Sequence, residues 1–240
     1  MTLDDILASL FGPDHGVQRG AEILAGRARL TDGTAVHVVG FSGGGELGVD
    51  QAITLAGHVL AVTRSGDGAP ILFVVDSSSQ RMTRRDELQG LSEYLAHLAK
   101  ALLLAEQAGH RTIGLLYGGS AAGAFIATAL ACGTLVALPG AHPEVMDLPS
   151  IARVTKLPLS TLQQKAEATP VFAPGLDNLA QTGAIAEIWD PERSLGAQLT
   201  ALLATPVDGD PRARLGKERS GRPKAADIAA EVLALATAHG

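Results

Sequence analysis

The fold of this chain is decided by the stretch Leu115-Leu116-Tyr117-Gly118-Gly119-Ser120-Ala121-Ala122-Gly123-Ala124-Phe125. An apolar run typical of a buried strand ends at two glycines, and very small residues typical of a closely packed helix follow. The start of a helix leaves backbone N–H groups without intrahelical partners, and these groups carry a partial positive charge. Because Gly118 and Gly119 have no side chains, the arrangement suits an oxyanion such as an enolate or a carboxylate. The alternative, that small residues only let the helix pack on the sheet, stays open.

A second strand-to-loop transition precedes this stretch. The bare apolar run 71–75 predicts a strand covered on both faces, and Asp76-Ser77-Ser78-Ser79-Gln80 follows it. Ligands gather at the carboxyl ends of strands in a wound α/β sheet, so we expect loops 76–80 and 118–120 to flank one crevice. The substrate-binding candidates are Gly118, Ser77, Ser78, Ser79 and Gln80. The alternative is that Asp76 and the serines cap the helix that follows.

The remaining pattern alternates strands with helices, which predicts an α/β fold. Strands are expected at 112–117, 135–138 and 184–189. A hairpin is expected over 27–39, with its turn at Asp32-Gly33. Helices are expected at 3–11, 50–63, 84–107, 121–131, 146–154, 160–166, 193–203 and 225–238, with a loop at 42–45. We divide the chain into a domain over residues 1–205, a polar linker over 206–224 and a C-terminal helix over 225–240.

Composition excludes several classes of protein. The 240 residues include 19 basic and 25 acidic side chains, a net charge of −6, and only 3% are aromatic. The chain therefore lacks the phosphate-neutralising cations and stacking platforms of a nucleic-acid binder. The single cysteine, Cys132, cannot form an intramolecular disulfide, which favours a reducing, cytoplasmic setting. No apolar run is long enough to cross a bilayer, so we expect a soluble chain with no membrane partner.

A nucleophilic site is an alternative interpretation of the same turn. Ser120 stands where a strand meets a helix, and His142 and Asp147 follow as a candidate base and orienting acid. The segment departs from the Gly-x-Ser-x-Gly pattern of such elbows at Ala122. The histidines show no metal-ligand spacing, so we expect no metal site.

Four segments resemble one known family. They are 36–48, 73–76, 117–124 and 145–155. Together they resemble the carboxyltransferase branch of the crotonase superfamily and, within it, the gamma subunit of biotin-independent malonate decarboxylase. The resemblance covers about residues 20–205 and implies a crotonase-like α/β fold, a superhelix of ββα units. Related carboxylase subunits have Gly-Gly where Ala121-Ala122 stands here, which narrows any site shaped for a biotin ring.

The same resemblance implies an activity and its partners. A beta subunit of the same fold would share the site at the subunit interface. The substrate would be a malonyl group on an acyl carrier protein, carried by a phosphoribosyl-dephospho-coenzyme A arm, and this chain would bind no cofactor itself. An acyl carrier transferase alpha subunit is a further implied partner. Decarboxylation to the acetyl thioester and carbon dioxide would be a step in malonate catabolism.

The resemblance also assigns roles within the site. The beta-type partner would hold the thioester oxygen, and this chain would face the departing carboxylate or carbon dioxide. The catalytic candidates are Gly119, Ser120, Ala121 and Ala122. Two other functions stay open, a serine hydrolase that uses Ser120 and a non-catalytic scaffold that completes the partner's pocket.

A basic cluster, Arg81, Arg84 and Arg85, is a candidate docking patch for an acidic carrier or a solvated helix start.

Overall fold

A seven-stranded sheet organises most of the chain, and the computed structural model describes residues 1–170, 174–206 and 209–238. The strands are β1 (Gln18–Arg19), β2 (Ile23–Arg29), β3 (Ala35–Leu47), β4 (Ile71–Gln80), β5 (Thr112–Leu116), β6 (Gly119–Ala121), β7 (Thr134–Ala137), β8 (His142–Glu144) and β9 (Glu187–Ile188). The helices are α1 (Leu3–Phe11), α2 (Val49–Ser65), α3 (Arg84–Leu88), α4 (Leu91–Gln107), α5 (Ala122–Ala127), α6 (Leu148–Thr155), α7 (Leu159–Ala168), α8 (Leu176–Gln181), α9 (Leu195–Ala204), α10 (Arg212–Glu218) and α11 (Ala225–Thr237).

The residues divide into two compact units, Met1–Val145 with Ile188–Pro206, and Met146–Glu187 with Val207–Gly240. In the first unit, β1, β2 and β3 pair antiparallel, and the predicted hairpin is confirmed between Arg29 and Ala35. Strands β3, β4, β5 and β7 pair in parallel, with helices α2 and α4 in the connections between them. The carboxyl ends of these parallel strands therefore lie along one edge of the sheet, where β6 and β8 form a separate two-stranded sheet.

The sheet of the first unit is covered on both faces, as the bare apolar strands predict. One face packs against α1 and α9 in a core of buried residues, among them Ile6, Leu7, Leu72, Leu115 and Leu199. Side chains alternate along a strand, so Phe73 and Val75 point to the other face. Helix α2 contacts β3 there, and α4 contacts β5. The core is built mainly from aliphatic residues, in keeping with the low aromatic content.

Several predicted boundaries are wrong, and glycines account for most of the errors. The expected loop at 42–45 is part of β3, where irregular pairing between Phe41 and Leu47 indicates a bulge rather than a turn. The expected helix 84–107 is broken at Gly90, whose φ of 82° is left-handed. Leu88, which precedes this break, consequently lies off the buried face of α4 and is 78% exposed.

The expected helix over 121–131 is also shorter than predicted. It ends as α5 at Ala127, and a separate 3-10 turn covers Ala129–Ala131. The expected strand at 184–189 is reduced to the two residues of β9.

The second unit contains α6, α7, α8, α10 and α11. The segment predicted as a polar linker includes helix α10, whose neighbour Arg219 donates to the carbonyl oxygens of Ala180, Ile185 and Ala186 at 2.7 Å each. The predicted terminal helix corresponds to α11, and residues 239–240 of that prediction lie outside the described residues. None of the helices in the described ranges is long and apolar enough to cross a membrane.

Candidate functional site

The turn that follows β5, residues 118–123, is held in place by a second parallel pairing. Gly119, Ser120 and Ala121 form β6 and lie opposite the three residues of β8, with Gly119 beside His142. The expectation of a simple loop at 118–120 is therefore wrong, because this pairing partner lies more than 20 residues away along the chain. A Cβ at Gly119 would lie 2.7 Å from the Ser77 carbonyl oxygen and 2.8 Å from His142 Nε2. Only glycine fits there without a shift of its neighbours.

The carboxylate of Asp76 binds the turn directly. Its Oδ1 accepts the Gly119 N–H at 3.0 Å, and its Oδ2 accepts the Gly43 N–H from the bulge of β3 at 3.2 Å. Asp76 therefore does not cap the helix that follows β4, since Thr83 does so instead. The Gly119 N–H, one of the predicted oxyanion donors, has a protein acceptor in this structure.

Two further side chains at the end of β4 hold the same turn. Ser77 Oγ lies 3.0 Å from Ser120 Oγ, and both serines are buried. Gln80 Oε1 accepts the Gly123 N–H at 2.7 Å. The expected loop 76–80 is thus the last part of a strand, and its side chains run alongside the turn in matching order. Ser77 and Gln80, predicted to bind substrate, bind the turn itself.

The other two predicted substrate-binding serines, Ser78 and Ser79, donate to backbone carbonyl oxygens of strands β3 and β4. Ser78 Oγ donates to the Gly45 carbonyl oxygen at 3.2 Å, and Ser79 Oγ donates to the Gln80 carbonyl oxygen at 3.0 Å. Ser78 is exposed and Ser79 is partly exposed. Gly118 packs against Asp76 so closely that a Cβ at Gly118 would overlap the carboxylate. The structure therefore brings loops 76–80 and 118–120 together, as predicted, while their roles as ligand contacts stay a prediction.

The entry to α5 combines an unfavourable backbone angle with an uncapped end. Ala122 has φ of 50°, in the left-handed region that L-residues avoid. Ala121, the residue before the helix, provides no side-chain hydrogen bond to the first N–H groups. Backbone strain of this kind costs about 1–3 kcal/mol and tends to cluster at active sites and ligand clamps. Ala121 and Ala122 contribute only methyl side chains here, so any polar contact with a ligand would come from their main-chain groups.

The proposed hydrolase side chains all have other partners. Ser120 is 1% exposed and its hydroxyl is paired with Ser77. Nδ1 of the exposed His142 lies 3.4 Å from the Gly140 carbonyl oxygen. Asp147 accepts the Ser150 N–H at 2.8 Å as the cap of α6. The Ser120 hydroxyl is thus paired with another serine rather than with the base that serine catalysis needs.

Burial and nearby aspartates influence the charged and titratable groups around the site. Burial, and after it the negative charge of Asp76, raises the pKa of Tyr117 to about 12, so its phenol is neutral at physiological pH.

In the predicted basic cluster, Arg81 donates to the buried Asp86 at 3.0 Å, and Arg85 donates to Asp50 at 2.7 Å. Two of the three candidate docking cations are thus neutralised within the chain.

An apolar groove borders the turn, and the sequence interpretation missed it. Its volume is about 250 Å³, and it lies between α4 and α5. The groove is lined by Ser92, Leu95, Ala96, Ala99, Gly123, Ile126 and Ala127. Residues 92, 96 and 99 are spaced so that they lie on one face of a helix. This spacing is the sequence signal that could have indicated the groove. Gly123 belongs to both the groove and the turn.

A family model described as malonate decarboxylase gamma subunit matches residues 42–236 of this chain. A curated relative, the malonyl-S-ACP:biotin-protein carboxyltransferase MADD of Malonomonas rubra, is 30% identical over 122 residues. That match covers 50% of this chain, and the chain spans less than half of the relative's length, 42%.

Solved structures match over nearly the whole chain. A Pseudomonas malonate decarboxylase hetero-tetramer in complex with coenzyme A contains a chain that is 26% identical, with a TM-score of 0.77 and 98% of each chain covered. The Pseudomonas MdcD-MdcE hetero-dimer contains one that is 25% identical, with a TM-score of 0.74, covering 99% of this chain and 98% of the other. These matches confirm the predicted crotonase-like α/β fold.

Proposed function

Because the chain belongs to the malonate decarboxylase gamma subunit family, we propose that it acts with a beta subunit to decarboxylate a malonyl thioester. The substrate would be malonyl-S-acyl carrier protein, and the products would be acetyl-S-acyl carrier protein and carbon dioxide. The malonyl group would be carried by the phosphoribosyl-dephospho-coenzyme A arm of the carrier, and this chain would hold no cofactor of its own. The alpha subunit that transfers the acyl carrier is a further proposed partner.

The observation that carries this proposal is that the one hydroxyl in the turn, that of Ser120, is buried. Ser120 is paired with Ser77 in the interior, so residues 119–122 offer a ligand no side-chain functional group, only main chain and the methyl groups of Ala121 and Ala122. Such a surface suits a reaction that needs polar stabilisation of an anion and no nucleophile. Decarboxylation of a malonyl thioester is such a reaction.

The chemistry follows from where the electrons go. The bond between the α-carbon and the carboxylate breaks, carbon dioxide leaves, and the electron pair spreads onto the thioester oxygen as an enolate. A proton then adds to the α-carbon and gives the acetyl thioester. Groups that bind the developing charge more tightly than the ground state accelerate the step. We assign the thioester oxygen, which gains the negative charge, to the beta subunit. We assign the positioning of the leaving carboxyl group, which loses that charge, to Ala121 and Ala122 of this chain.

A scaffold role is the second candidate, and one observation favours it. The N–H groups of Gly119 and Gly123 donate to Asp76 and Gln80, so two of the N–H groups around the turn are already used within the protein. A chain of this kind would complete the partner's pocket without contacting the reacting atoms. A larger side chain at Ala121 separates the two roles: turnover falls if the turn contacts the substrate, and it is retained by a scaffold that has no site at the turn.

The proposed function is tested by release of carbon dioxide from malonyl-S-acyl carrier protein. The assay compares this chain alone, the beta subunit alone and the mixture of the two. We expect release only from the mixture. Equal release from the beta subunit alone would make this chain dispensable, and release from this chain alone would mean that it contains a complete site.

A further inference from the structure

Strand β4 loses its pairing partners on both sides at the same residue. Its parallel pairing with β5 ends at Val75 opposite Leu116, where the chain turns away toward Gly118. On its other side, regular pairing with β3 ends at Val75 opposite Phe41 and resumes at Ser77 opposite Gly45. Asp76 therefore stands between the bulge of β3 and the turn after β5, at a position where neither neighbour pairs regularly with β4.

The side chain of Asp76 replaces the lost ladder bonds. One carboxylate oxygen accepts the Gly43 N–H at 3.2 Å from the bulge, and the other accepts the Gly119 N–H at 3.0 Å from the turn. Hydrogen bonds to an ionised acceptor are stronger than those between neutral groups. Gly43 has φ of 91°, which favours glycine, and the carboxylate fills the space where Gly118 would carry a Cβ. The three glycines and the aspartate therefore fit one another as a unit.

We propose that Asp76 is a positioning residue of the site, which fixes the 118–123 turn relative to the bulge of β3 through its two backbone hydrogen bonds. The proposal rests on the proposed function for its catalytic consequence. Ser77 and Gln80 hold the turn farther along, at Ser120 and Gly123, so the turn is not expected to unfold without the carboxylate. Asp76 instead sets where the turn begins, and a displacement of about 1 Å can cost about a hundredfold in rate.

The test uses Asp76→Asn, which retains one acceptor oxygen and the shape of the side chain, and Asp76→Ala, which retains neither. The matched control is Asp32→Asn, because Asp32 accepts the Thr34 N–H at 2.8 Å in the hairpin at the opposite end of the strands. The first readout is the ¹H–¹⁵N spectrum of the full chain. We expect the amide proton resonances of Gly43 and Gly119 to move upfield in both Asp76 variants, and neither to move in Asp32→Asn.

The second readout is decarboxylation by the complex with the beta subunit. We expect kcat to fall about tenfold in Asp76→Asn and further in Asp76→Ala, with KM within about twofold of wild type, because the turn is misplaced while the substrate arm still binds. If Asp76→Ala does not fold, the isosteric Asp76→Asn carries the test.

Two results would overturn the proposal: unshifted Gly43 and Gly119 amides, or shifted amides with unchanged kcat. A wild-type complex that does not decarboxylate malonyl thioester would instead overturn the proposed function. The amide resonances would then still decide whether the carboxylate fixes the turn.

Discussion

Ser77 Oγ and Ser120 Oγ lie 3.0 Å apart, and both side chains are at most 2% exposed. This contact ties the end of β4 to the turn after β5 and removes the turn's only hydroxyl from the surface. A buried hydroxyl that loses its partner costs about 1–3 kcal/mol, whereas removal of both partners costs less.

We therefore expect Ser77→Ala and Ser120→Ala each to lower the free energy of unfolding by about 1–3 kcal/mol, and the double variant to lower it by less than the sum. Urea unfolding of the three variants and wild type measures this. Strict additivity would mean that the two hydroxyls do not interact. Ser65→Ala, at the exposed end of α2, is the control for loss of a hydroxyl.

The left-handed backbone at Ala122 gives a second prediction. Replacement of alanine by glycine in a helix ordinarily costs about 1 kcal/mol. At φ of 50°, however, glycine relieves steric strain of about 1–2 kcal/mol that alanine bears. We expect Ala122→Gly to leave the free energy of unfolding unchanged or to raise it by up to about 1 kcal/mol.

The matched control is Ala124→Gly in the same helix, which we expect to lose at least about 1 kcal/mol. Thermal and urea unfolding of the two variants provide the comparison. Equal destabilisation by both substitutions would contradict a strained Ala122.

Asp86 gives a prediction about pH. The Arg81 guanidinium, and after it the Thr83 hydroxyl and the Val49 N–H, hold the pKa of the Asp86 carboxyl well below its usual range. A lowered folded-state pKa stabilises the protein at pH values above the unfolded pKa of about 3.9, and this contribution is lost as the pH falls toward the folded pKa.

We expect Asp86→Asn to lower the free energy of unfolding at pH 7 by about 3 kcal/mol at most, since Arg81 retains some exposure to water. The difference from wild type should shrink as the pH is lowered below about 5. Urea unfolding at several pH values measures it, with the exposed neighbour Glu87→Gln as the control. A difference that stayed constant with pH would show that the charge of Asp86 is not the cause.

The sequence was informative about the sheet and about which loops meet, and weaker where glycines occur. The apolar runs at 71–75 and 112–117 identified two parallel strands, because fully buried strands need continuous apolar residues. The glycines at 43–45 indicated a loop, yet in the structure they form a bulge within β3, since the positive φ angles of Gly43 and Gly44 serve loops and bulges alike.

The site was predictable in place but not in detail. The carboxyl ends of two neighbouring strands indicated that residues 76–80 and 118–120 would meet. That Asp76, Ser77 and Gln80 bind the turn rather than a ligand depends on contacts between residues 43 apart, which no local pattern reveals. The two-stranded pairing of β6 with β8 was unpredictable for the same reason.

The central claim is that the main chain of the turn, and not the Ser120 hydroxyl, serves the reaction, and adjacent variants test it directly. The measurement is carbon dioxide release by the complex with the beta subunit, with Ala121→Val and Ser120→Ala compared under the same conditions. Ala121 has extended backbone angles that valine also adopts, so the larger side chain changes the space beside the turn with little backbone strain. We predict that Ala121→Val lowers kcat about tenfold or more, whereas Ser120→Ala stays within about threefold of wild type. Loss of nearly all activity in Ser120→Ala, with full activity in Ala121→Val, would contradict the account.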